Sequence, residues 1–240
     1  MTTINAEKLD FTQLNEQVRA ADGDVKITGC LGQRFIGAGL GGRKLEIYGV
    51  PGNALGAYLN GAQIEVFGNA QDAVGDTMNN GSIVVHGSIG DTTGYAMRGG
   101  SIYIEGSAGY RTGIHMKEYK EHRPVIVIGG RAGSFLGEYQ AGGIIIVLGL
   151  HKDGRPIVNN FPCTGMHGGK LFLRSDCSEI RFPQQVHARK AEAEDLAEID
   201  EYLRTYCSLF GADYGQIKDS PFTIVTPNTS NPYKQLYVPN

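Results

Sequence analysis

Residues 45–49 read LEIYG, and the same cadence returns as IEVFG at 64–68, IVVHG at 83–87 and IYIEG at 102–106. The closing glycines Gly49, Gly68, Gly87 and Gly106 stand 19 residues apart each time. A second column, Gly37, Gly56, Gly75, Gly94 and Gly113, keeps the same period. Two positions held over five units make an internal repeat, and a repeat of this length governs the fold.

Four and two residues before the first glycine stand Leu45 and Ile47, Ile64 and Val66, Ile83 and Val85, Ile102 and Ile104. Positions two apart on a strand share a face, so these columns form an interior. The pattern extends to Val125 and Val127 before Gly129, to Ile145 and Val147 before Gly149, and to Leu171 and Leu173. Three residues after the second glycine, Leu40, Leu59, Met78, Met97 and Met116 supply another inner wall, and Gly137 continues that glycine column. A 19-residue unit cannot hold a strand, a crossover helix and a return strand, which need about 30 residues. The architecture that remains is all-β: a single-stranded parallel β-helix of about seven turns, with aliphatic columns filling its bore. Glycine is expected where the chain bends sharply, at positive φ or where a Cβ would strike the next turn.

Composition narrows the function. The chain of 240 residues has 35 glycines, with none of the every-third-residue spacing of collagen. A formal charge of −3 from 22 basic and 25 acidic residues draws it neither to nucleic acid nor to a membrane. The first residues carry acids and no apolar run, so a soluble, cytoplasmic protein is expected. Cys30, Cys163, Cys177 and Cys207 form no CxxC pair, and buried reduced thiols are expected rather than a metal site. No cofactor is expected on this chain. In GAGLGG, Gly37, Gly39 and Gly42 fit the dinucleotide spacing, but a strand follows where that fingerprint needs a helix.

At the N-terminus, Leu9, Leu14, Gln17 and Val18 fit a short helix entered near Asp10 or Thr12. Towards the other end, Leu196, Ile199, Leu203, Tyr206 and Phe210 form one helical stripe that Gly211 stops. The expected division is a helical cap over 1–24, the β-helix over 25–187, and a helix with an extended tail over 188–240, including a strand at 222–225. The outward columns are polar or mixed early, at Glu46, Glu65, Tyr48 and Phe67, but apolar at Ile126, Ile128, Ile146 and Leu148. That late face needs a cover, and the C-terminal helix is the first candidate, a partner subunit the other; whether the chain forms a homo-oligomer stays open.

The period breaks twice. From Gly106 to Gly129 the step is 23, placing four extra residues in 114–124, and from Gly149 to Ser175 it is 26, placing seven extra in 150–169. These loops hold His115, His122, His151 and His167, four of the six histidines. The first loop joins its histidines to Lys117, Glu118, Tyr119 and Arg123, the residue types of acid–base chemistry in a spacing that matches no ligand set. The second adds Arg155, an Asp-Gly turn, and a Cys163/His167 pair with no orienting carboxylate fixed beside it. Loops leaving a rigid scaffold usually carry function, so these residues, Cys163 apart, are expected to face partners. The rival expectation is a small active site between the two loops.

The run GQRFIGAGL at 32–40, followed by VPGNALGAYLNGAQIEVFGNAQDAVGDTMNNGSIVVHG at 50–87, resembles the GXGXG domain that closes the large subunit of glutamate synthase. The likeness runs from LNE at 14–16 to FTIVTP at 222–227. It implies a right-handed β-helix that makes no bond in the reaction and supports glutaminase-type and FMN-binding partners. FMN and an iron–sulfur cluster would then lie in those partner subunits, and glutamate biosynthesis would be the process served. The C subunit of formylmethanofuran dehydrogenase shares the resemblance and supplies the alternative complex.

Overall fold

The computed structural model describes residues 1–150 and 154–228. The chain runs β1 (Thr2–Asn5), α1 (Phe11–Ala20), β2 (Val25–Leu31), β3 (Lys44–Val50), β4 (Asn60–Phe67), β5 (Asn80–Val85), β6 (Ser101–Ile104), β7 (Val125–Ile128), β8 (Ala141–Val147), β9 (Gly168–Leu173), β10 (Val186–Lys190), α2 (Ala193–Phe210), α3 (Tyr214–Lys218) and β11 (Thr223–Pro227). The strands form one sheet in the order β1 to β9, then β11, then β10. Pairing is parallel from β1 through β9 and antiparallel at β9–β11 and β11–β10. The fold is thus a parallel β-solenoid. The eight stacked strands β2 to β9 make about eight turns, one more than the repeat count suggested.

Register follows the columns. Leu45 lies beside Ile64, Ile64 beside Ile83 and Ile83 beside Ile102, and all are buried in one bore with the Leu40 to Met116 wall. The next step corrects the sequence reading. Ile126 and Ile128, not Val125 and Val127, pair with Ile102 and Ile104 and enter the bore. Gly130, not Gly129, continues the glycine column, since its amide donates to the Gly106 carbonyl at 2.7 Å. The step is therefore 24 residues and the insertion five. In VIVI every position is apolar, so alternation carries no phase there.

The two glycine columns have different causes. At Gly68 a Cβ would strike the Gly49 carbonyl of the preceding turn. Gly94 instead has φ +68°, and a Cβ there would press on the Ile126 side chain at 2.5 Å. Each corner places left-handed residues two before, at and two after this second glycine, as in Ala54, Gly56 and Tyr58 or Thr92, Gly94 and Ala96. Their amides alternate in direction along the stack. Ala54 donates forward to Asp72 (2.9 Å), Gly56 back to Ile36 (2.8 Å) and Tyr58 forward to Asp76 (2.7 Å). Non-glycine residues are held in this costly region because both neighbouring turns fix the peptide planes. Side chains reinforce the stack: Asn53, Asp72 and Asp91 each accept from the amide one turn on, at 3.3, 2.8 and 2.8 Å.

α1 starts at an Asp10 capping box, and its Leu14 and Val18 close the first end of the bore. Before it lies β1, a strand the sequence reading did not anticipate. α2 begins at Ala193, four residues later than the expected stretch from 189, because 186–190 forms β10 against β11. Its predicted stop is present, with Gly211 at φ 67°. Ile199, Leu203 and Tyr206 of α2 pack on Val84, Tyr103, Val127, Ile146 and Phe172, the outward face of the late turns. Cover for that apolar face thus comes from within the chain.

Candidate interaction surfaces

The two insertions leave the solenoid at opposite ends of its strand layer. The first occupies 117–124, just before β7, because Lys117 still donates to Met97 (3.0 Å) while Ser101 already pairs with Val125. The second lies between Gly149 and Ile157, since Val158 resumes the ladder beside Ala132. Residues 158–168 then form an ordinary turn, with Cys163 in the place of a corner glycine and donating to Leu136 at 2.8 Å. Strand β8 spans seven residues, and its length of roughly 20 Å sets the two departure points apart.

The first loop is a strap. Tyr119 and His122 close its tip by exchanging backbone hydrogen bonds at 3.1 and 3.0 Å. Arg123 sits 3.2 Å from Glu118 and donates to Glu198 of α2 at 2.9 Å, and Lys170 of β9 joins Glu198 at 2.5 Å. Glu118 also accepts from the Gly143 amide at 3.2 Å. Lys117 and His122 are exposed. Of the second loop, Arg155 is exposed at 154–156, and His151 lies outside the described residues.

His167 stands one turn beyond Ala141 and two beyond Lys117 on the same column, roughly 10 Å along the stack, and its Nδ1 is 3.0 Å from the Gly165 carbonyl. Cys163, the nucleophile that pair would need, is fully buried, and burial pushes its thiol up to about 12. A thiol so raised is an inert core group. Burial likewise raises Cys30 to about 11 against a weaker opposing hydrogen bond from the Gln33 backbone. Among the described residues no cluster of His, Cys, Asp or Glu could hold a metal ion, and no helix is long and apolar enough to cross a membrane.

His115 has another setting. It occupies a left-handed corner position (φ 56°) and stacks on Tyr139, with ring centroids 5.2 Å apart and planes 8° apart. Tyr95 meets it edge-on at 5.9 Å, so Tyr95, His115 and Tyr139 form one file along the corner. A second file, Tyr110, Phe135 and Phe161, runs beside it with centroids 5.3 and 5.2 Å apart. Between them Arg111 lies over the rings of Tyr110 (4.8 Å) and Phe135 (5.5 Å). Its Nε is 2.7 Å from the buried carboxylate of Glu138. The Nε–H is not aligned on that oxygen, so the contact is an ion pair without a formed hydrogen bond. Sequence reading missed this edge. The signal was present in Phe35, Phe135 and Phe161, each two residues before a corner position.

A family model described as the GXGXG motif matches residues 7–222, from the approach to α1 to the start of β11. This chain belongs to the GXGXG family. In the first corner Gly37 and Gly39, two residues apart, both take up left-handed conformations. The GXGXG chain is 39% identical over 251 residues to an uncharacterized protein of Methanocaldococcus jannaschii, covering 99% of this chain and 96% of that one. It also resembles a chain in the crystal structure of the formyltransferase/hydrolase complex of Methylorubrum extorquens with methylofuran. There the TM-score is 0.64 at 18% identity, over 92% of this chain and 89% of that one. At that identity the likeness is one of fold.

Proposed function

We propose that this GXGXG chain is a non-catalytic scaffold subunit of a glutamate-synthase-type complex, an oxidoreductase of nitrogen metabolism. Its partners would be glutaminase-type and FMN-binding subunits that hold the FMN and the iron–sulfur cluster. The observation that carries this reading is the family match over 7–222, which takes in the solenoid together with the helices on it. The site geometry supports it. Arg123 of the first loop is spent on Glu198 of α2, the two loops leave opposite ends of the strand layer, and Cys163, the thiol four residues before His167, is buried and raised. A formylmethanofuran-dehydrogenase-type complex is the second reading, favoured by the fold shared with a chain of the formyltransferase/hydrolase complex. Purification of the tagged chain from its source cells, with native mass and flavin content, tests both. A stoichiometric flavoprotein with a glutaminase-type subunit is expected. Partners of formyl-transfer chemistry would transfer the role to the second reading, and a chain that elutes alone would remove both.

A further inference from the structure

We propose that the paired aromatic files at the corner of the late turns are the surface on which the catalytic partner docks, through an apolar segment carrying a carboxylate that reaches Arg111. The proposal rests on the subunit reading above and names the place where it acts. Stacking along a solenoid is ordinary reinforcement and accounts for the ring-to-ring contacts. It does not account for outward exposure: Tyr95, Tyr110 and Phe161 are 41%, 37% and 62% exposed. Clustered aromatic rings beside an arginine, with few lysines or glutamates, are what distinguishes the core of a protein interface from ordinary surface.

Arg111 sets the chemistry of the partner. Its side chain is 41% exposed and is flattened over two rings, while Nε faces Glu138. Among the described residues neither Nη1 nor Nη2 forms a hydrogen bond, so the outer donors of a rigid fork are open to an acceptor from outside the chain. A carboxylate completes that fork in two parallel hydrogen bonds, and the flanking rings keep water from competing. A second copy of this chain fits worse, because a two-fold contact centred here would set guanidinium against guanidinium.

The test uses the full chain, tagged and purified from its source cells with whatever assembly it holds. Arg111→Gln and Phe161→Ala are expected to lower the partner-to-chain ratio roughly tenfold or more, with melting temperatures unchanged. Leu31→Ala, at a still more exposed apolar site on β2, is expected to leave the ratio as it is. A photo-crosslinking residue at position 161 should join the partner at a segment containing Asp or Glu. Full partner retention in both edge variants would overturn this docking surface while the subunit reading stands. A wild-type chain without any partner would remove the subunit reading and this surface with it. Cross-links between two copies would assign the edge to self-association and overturn the partner proposed here.

Discussion

At Gly129 a single hydrogen atom in place of a methyl group seats the covering helix. A Cβ there would meet the Tyr206 hydroxyl and the Glu105 carbonyl, the same two groups that form a 3.3 Å hydrogen bond across the gap. Gly129→Ala should therefore cost about 1–3 kcal/mol through overpacking, measured by urea unfolding. Adding Tyr206→Phe removes the hydroxyl from the collision and leaves only the clash with the Glu105 carbonyl and the ring edge, so the double variant should lose less than the sum of the singles, with a coupling above about 0.5 kcal/mol. Strict additivity would mean that Tyr206 does not sit on Gly129. The glycine was legible in the sequence but its reason was not. Besides the Glu105 carbonyl of the preceding turn, which any repeat glycine would face, it answers to a residue 77 positions away.

Helix α2 is held by two kinds of contact, and magnitude separates them. The ion pairs of Glu198 with Arg123 and Lys170 are half-exposed, and such pairs are worth at most about 1 kcal/mol. Leu203 is 2% exposed against the late strands, and truncating a buried leucine costs about 2–5 kcal/mol. Leu203→Ala should thus lower the urea midpoint several times further than Glu198→Gln. Equal effects would show that the strap, not the apolar face, fixes the helix. The helical stripe and the apolar outside of the late turns were both readable as patterns. The phase of β7 was not, because four successive apolar residues serve either face until neighbouring turns and α2 select one.

A solenoid is nearly one-dimensional: each turn contacts its neighbours, so stability is highest where both sides are covered. β1 has one parallel neighbour, and β10 is the last strand of the sheet, with His187, Arg189 and Lys190 exposed. Charged residues on such an edge discourage a further strand from adding. Hydrogen exchange should accordingly be slowest in β4 to β8 and fastest in β1 and β10, and uniform protection across the stack would contradict this. By itself the sequence determined the repeat, the bore, the inner wall and both flanking helices, since each is written in local spacing of apolar residues and glycines. Only the tertiary structure decided the facing of 125–128, the antiparallel closure by β11 and β10, the pairing of Arg123 with α2, and the aromatic edge. Those depend on which residues one turn or many turns apart come within a few ångströms, and spacing along a single chain does not carry that distance.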